Sequence, residues 1–163
     1  MRPTAPQALP EQGRPAAEVL RELAGFGADD PDYKHGRLWS LVYWLDEDYD
    51  AFLGQAYQTF ASANGLNPGA FKSLKRLESD IVATVAALQH GDAQVCGVLT
   101  SGGTESCLLA AKTYRDLARR TRGVTRPQMV LPESAHVAWF KAAEYFGIEA
   151  RVLPLDADLR ADV

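Results

Sequence analysis

The sequence predicts an α/β protein in which a helical lead-in runs into the start of a parallel or mixed sheet with crossover helices. Three observations carry this. Two long stretches, Asp46 to Ala63 and Phe71 to Gln89, repeat apolar residues at helical spacing. Beyond residue 92, short apolar runs alternate with helical stripes in the order strand, helix, strand, helix, strand, which is the pattern of parallel strands joined by crossovers. The first of those runs ends in Thr100-Ser-Gly-Gly-Thr-Glu-Ser106, a glycine turn between a strand and a helix.

The elements follow in order. Residues 1–14 read as a disordered arm, because prolines at 3, 6 and 10 cannot sit in a regular ladder. Residues 15–91 form a helical N-terminal segment with a loop, and residues 92–163 the first part of a sheet domain. Pro15 to Phe26 is a helix with Val19, Leu20, Leu23 and Phe26 on one face, and Asp29 to Asp32 is a turn cluster. Arg37 to Leu45 is too short and aromatic for a good helix, so it is expected as a strand or extended segment. Asp46 caps the next helix, and Asn64 to Gly69 is a compact loop. Gly91 ends the helix from Phe71. Strands are expected at Val95–Leu99, Gln128–Leu131 and Arg151–Leu155, with helices at Glu105–Arg120 and Val137–Phe146 between them. Cys107, Ala110, Ala111, Tyr114 and Leu117 form the inward face of the first of these helices. Three parallel strands would leave sheet faces bare, so the run predicts part of a larger sheet.

Composition narrows the function. Of 163 residues, 47% are apolar and 23% charged, the proportions of a globular protein. Seventeen basic residues are scattered among twenty-one acids, for a net charge of -4, which argues against a nucleic-acid or membrane-surface partner. The basic stretch Arg115 to Arg126 reads as a solvated helix end. Cys96 and Cys107 lie inside apolar patterns and are expected to be buried and reduced. There is neither an apolar signal core near Met1 nor a run of about eighteen apolar residues, so the expected location is cytoplasmic. His35 and His90 belong to no cluster, and no metal site is expected.

The glycine turn carries the chemistry. The first N–H groups of a helix lack intrahelical partners and sit at the positive end of its dipole. Gly102 and Gly103 let an anion approach the backbone closely, and Thr104 and Ser106 offer hydroxyls. The spacing matches neither a P-loop nor a dinucleotide fingerprint. From the residues alone, an anion site and a plain capped helix start are equally well supported.

The stretch Val98-Leu-Thr-Ser-Gly-Gly-Thr-Glu-Ser-Cys-Leu-Leu-Ala-Ala-Lys-Thr-Tyr-Arg-Asp-Leu-Ala118 resembles the sphingosine-1-phosphate lyase branch of the group II pyridoxal-phosphate-dependent decarboxylases. So does Pro132-Glu-Ser-Ala-His-Val-Ala-Trp-Phe-Lys-Ala-Ala-Glu-Tyr-Phe-Gly147. The blocks come in the family's order and spacing, and looser similarity reaches back through Glu78 and the Asn64 loop to Gly36. The resemblance implies the N-terminal part of fold type I, the aspartate-aminotransferase-like fold, with pyridoxal 5'-phosphate as cofactor. It places Gly102, Gly103 and Thr104 at the cofactor phosphate and His136 over the pyridine ring. Asn64 falls at the active-site loop, Asn67 at the substrate, and Tyr43 in a segment that reaches the site. For Tyr43, core packing or a subunit contact competes with that role.

Two departures limit the resemblance. Asn67 stands where the lyases carry a histidine that helps recognise substrate phosphate, and asparagine brings no charge to that task. None of the five lysines (Lys34, Lys72, Lys75, Lys112, Lys141) sits in the family's Schiff-base context, and the aspartate that pairs with the ring nitrogen is also missing. The expectation is thus the N-terminal part of a carbon–carbon lyase or decarboxylase acting on a small amine or amino acid, inactive alone and homodimeric when complete. An aminotransferase-like enzyme, or a non-catalytic or split-enzyme partner, is the alternative.

Overall fold

The computed structural model describes residue 8 and residues 11–162, so most of the expected arm at 1–14 lies outside the described residues. The chain divides into two units, Met1–Ala63 and Asn64–Val163.

The first unit contains two helices. Pro15 precedes α1 (Ala16–Phe26) with its ring-fixed φ of -56°. A 3-10 turn at Tyr33–His35 follows, where Asp32 accepts from the His35 N–H at 3.3 Å and Gly36 takes a left-handed φ of 72°. Of the strand or extended segment expected at Arg37 to Leu45, the strand does not form. Ser40 and Leu41 adopt φ of 61° and 71°, which interrupts an extended run, and no neighbouring strand offers the segment a ladder among the described residues. Trp44 packs locally instead, edge-on to Tyr33 at 6.1 Å and beneath the Lys34 ammonium at 4.5 Å. Asp46 then caps α2 (Glu47–Phe60) as expected, accepting from the Tyr49 N–H at 2.7 Å. No residue of α1 or α2 is buried.

The second unit opens with the Asn64 loop and α3 (Lys72–Leu88). Two bonds close that helix, His90 N–H to Ala87 C=O at 3.1 Å and Gly91 N–H to Ala86 C=O at 2.8 Å. His90, not Gly91, holds the left-handed position, with φ of 58°. Gly91 is needed for space: a Cβ there would stand 2.7 Å from Val95 Cγ2.

The remainder is a βαβ unit with a helix leading into it. α4 (Gly103–Arg122) starts inside the glycine turn, two residues earlier than expected. β1 (Gln128–Pro132), α5 (Val137–Phe146) and β2 (Glu149–Leu153) follow. β1 and β2 pair in parallel, from Gln128 opposite Glu149 to Pro132 opposite Leu153. β2 begins two residues before the expected Arg151. The expected strand at Val95–Leu99 is irregular, because parallel pairing needs a neighbour and only β1 and β2 pair among the described residues.

The core lies where α4 meets α5. Ala111 of α4 packs with Ala142 and Ala143 of α5 and with Ile148, flanked by Leu108, Met129, Trp139, Phe146 and Ala150. Small side chains at the seam let the helix backbones approach. Arg115 locks the far end, donating to the Phe146 carbonyl at 2.9 Å with its guanidinium 5.1 Å from the Phe146 ring. The inward face of α4 is therefore turned from the expected one. Ala111 and Ala118 are buried and Cys107 and Ala110 half-buried, whereas Tyr114 and Leu117 are exposed. Cys96 is exposed as well, since its segment joins no sheet.

Candidate functional site

The turn ahead of α4 is held by its own side chains. The Thr100 hydroxyl donates to the Gly102 carbonyl at 3.0 Å and lies 2.7 Å from the Ser106 hydroxyl. Glu105, three residues past the capping position at Gly102, reaches back to accept from the Ser101 N–H at 2.6 Å. That N–H holds the Glu105 carboxyl below its ordinary value of 4.5. Glu78 of α3 accepts from the Leu99 N–H at 3.0 Å. Ser106 is thus engaged inside the turn, while first-turn N–H groups of α4 lack intrahelical partners and Thr104 is exposed.

Among the described residues, nothing crowds either glycine of the turn. Gly102 is extended, with φ of 162° and ψ of 173°. A Cβ on Gly102 or Gly103 would meet no protein atom within 4 Å. Open space around two glycines at the positive end of a 20-residue helix is what close approach of an anion requires. The residues present fit a phosphate group.

His136 occupies the equivalent position on α5. It caps that helix, its Nδ1 accepting from the Ala138 N–H at 3.1 Å, so the neutral ring carries its proton on Nε2. Asn64 and Asn67 share a tight turn: the Asn64 Oδ1 accepts from the Leu66 N–H at 3.0 Å, and the Asn67 N–H donates to the Asn64 carbonyl at 3.1 Å. Tyr43 belongs to the other unit and is fully exposed. Among the described residues, no hydrogen bond joins the glycine turn, His136 and the asparagine loop to one another.

Three of the five lysines are engaged elsewhere. Lys34 pairs with Glu47 at 3.0 Å and Lys112 with Asp116 at 2.8 Å, and Lys141 lies 5.3 Å from the Tyr145 ring. No group of three metal-ligating side chains occurs among the described residues, nor any helix long and apolar enough to cross a membrane.

No family model matches the chain. It is 41% identical over 155 residues to sphingosine-1-phosphate lyase 1 of Mus musculus, covering 95% of this chain and 27% of the mouse protein. A probable L-aspartate decarboxylase of Pyrococcus furiosus is 29% identical over 155 residues, 95% of this chain and 40% of that protein. The solved sphingosine-1-phosphate lyase of Burkholderia pseudomallei K96243 superposes with a TM-score of 0.88 at 39% identity, over 97% of this chain and 38% of that one. The chain is a homologue of the sphingosine-1-phosphate lyases. It spans little more than a quarter of the length of the mouse relative. Glutamate decarboxylase of Lactobacillus brevis CGMCC 1306 shares the fold at a TM-score of 0.73 and 20% identity, over 97% of this chain and 37% of that one. The fold is accordingly that of part of a fold type I enzyme, as the resemblance to sphingosine-1-phosphate lyases implied.

Two site features escaped the sequence reading. Glu105 was expected only as the first residue of a helix, although an acid at the third helical position is a recognisable capping signal. The bond from Glu78 to Leu99 spans 21 residues, and no local pattern announces it.

Proposed function

We propose that this chain forms part of a pyridoxal-phosphate-dependent lyase, a carbon–carbon lyase or decarboxylase, acting on a small amine or amino-acid substrate. The observation that carries this reading is the pair of uncrowded glycines set at the start of α4, in a stretch that resembles the lyases' cofactor-phosphate turn. Gly102, Gly103 and Thr104 would hold the cofactor phosphate through first-turn N–H groups and the Thr104 hydroxyl. His136 would cover the pyridine ring, its cap to Ala138 fixing the imidazole and leaving Nε2 as its donor. Asn64, Asn67 and Tyr43 would line the approach of the substrate. When bound, pyridoxal phosphate supplies an electron sink for the bond broken beside the substrate nitrogen. Around it this chain would anchor, orient and exclude water.

Asn67 offers an amide where the lyases place a histidine, so recognition there is by neutral hydrogen bonding. The substrate head group it favours carries less negative charge than a phosphate. The lysine that bonds the cofactor is assigned to none of the five present, and the complete enzyme is read as a homodimer.

Two measurements test this. In the full-length protein, Gly103→Leu should weaken pyridoxal-phosphate affinity about tenfold or more, the cost of losing one or two charge-assisted contacts, with the unfolding midpoint unchanged. Wild-type affinity in that variant counts against the phosphate assignment. Borohydride reduction of the 163-residue chain with the cofactor should yield no stoichiometric adduct; a single modified lysine would overturn the assignment of that residue elsewhere.

A further inference from the structure

We propose that Glu105 is the positioning residue of the glycine turn, holding the Ser101 N–H so that the following N–H groups are fixed in place for an anion. This rests on the reading of Thr100–Ser106 as a cofactor-phosphate turn. Residues 95–102 belong to no strand, so ladder bonds do not fix their backbone. Carboxylates do so instead, on either side of Thr100: Glu78 takes the Leu99 N–H at 3.0 Å and Glu105 takes the Ser101 N–H at 2.6 Å. The Thr100–Ser106 hydroxyl contact at 2.7 Å closes the same loop onto α4.

The arrangement sets two effects of one side chain against each other. As an acceptor, Glu105 withdraws the Ser101 N–H from the ligand and stiffens the turn, which lowers the ordering cost of binding. As an anion, it repels the phosphate that the turn is shaped to hold. A glutamate carboxyl is ionised at neutral pH, and the Ser101 N–H favours that form further, so the repulsion persists there. A dedicated anion pocket would avoid a carboxylate in its first helical turn. Its presence here is explained by the geometric role, and the two effects separate on substitution. Glu105→Gln keeps an acceptor of the same reach and loses the charge, whereas Glu105→Ala loses both. Glu105→Met does the same as the alanine at matched length, should the alanine variant fold poorly.

The full-length protein is titrated with pyridoxal phosphate, and with inorganic phosphate as competitor, at low and high salt. Hydrogen exchange at the Ser101 amide is followed in parallel. Glu105→Gln is expected to bind two- to fivefold tighter than wild type at low salt, a gain that shrinks at high salt by screening. Its Ser101 amide should stay protected. Glu105→Ala and Glu105→Met are expected to bind about tenfold more weakly than Glu105→Gln, the effect of one charge-free hydrogen bond and its ordering, with Ser101 exchanging freely. Equal affinity across the uncharged variants overturns the positioning role. If wild type binds the cofactor and neither the Glu105 variants nor Gly103→Leu alter its affinity, the phosphate reading itself fails.

Discussion

The segment from α1 to α2 and the unit from α4 to β2 are written in equally amphipathic sequence, yet among the described residues only the second has a core. Leu20 and Phe26 of α1 are 66% and 70% exposed, and Phe52 and Tyr57 of α2 are 60% and 78% exposed. In the second unit Ala142 is fully buried and Ala111, Ala143 and Ile148 nearly so. The difference lies in partners. An apolar stripe specifies a helix, but burial needs a second surface of matching shape, and α4 and α5 supply one to each other. The teaching is that helical periodicity and core membership are separate properties, here carried by different residues.

The largest effect should come from the seam. Ala142→Leu forces extra methylenes into a fully buried position and should cost about 1–3 kcal/mol in urea unfolding. Leu20→Ala should cost under about 0.5 kcal/mol in the 163-residue chain. A cost above about 2 kcal/mol for Leu20→Ala in the full-length protein would show that other residues cover α1. Next is Arg115→Ala, which removes the bond to the Phe146 carbonyl and should cost about 1–2 kcal/mol; hydrogen exchange should then rise first at the end of α5. Recovery by Arg115→Lys would argue that charge, not the guanidinium fork, matters.

His90→Gly should stabilise by roughly 0.5–1 kcal/mol, because glycine takes the left-handed φ of 58° without a Cβ penalty. Gly91→Ala should destabilise, through contact with Val95. The smallest effect is the pH response of the turn. The folded Glu105 carboxyl sits below 4.5, so its contribution is present above the unfolded value and is lost as pH falls through the folded one. Protection of the Ser101 amide should fade on acidification, and Glu105→Gln should remove that dependence.

Much of this was legible in the residues. Capping by Asp46, the span of α5 and the parallel pairing of β1 with β2 follow from local signals of capping, periodicity and alternation. The glycine turn was legible as a chemical feature, and its resemblance to sphingosine-1-phosphate lyases implied the ligand class proposed for it. The strand alternative at Arg37–Leu45 and the expected strand at Val95–Leu99 were not realised, because a strand is defined by its neighbour and an apolar run does not supply one. Likewise Tyr114 and Leu117 had the right spacing, but the face that α5 covers carries Ala111 and Arg115.

By itself, the sequence determined which segments are helical and that a glycine turn opens α4, since these depend on neighbours a few residues apart. Only the tertiary structure decided which apolar stripe becomes core. It alone showed that His90 takes the left-handed position, and that Glu78 and Glu105 hold the turn from both sides. Those outcomes depend on contacts in space: the fit of one helix against another, and a carboxylate 21 residues away meeting a backbone N–H that no strand had claimed.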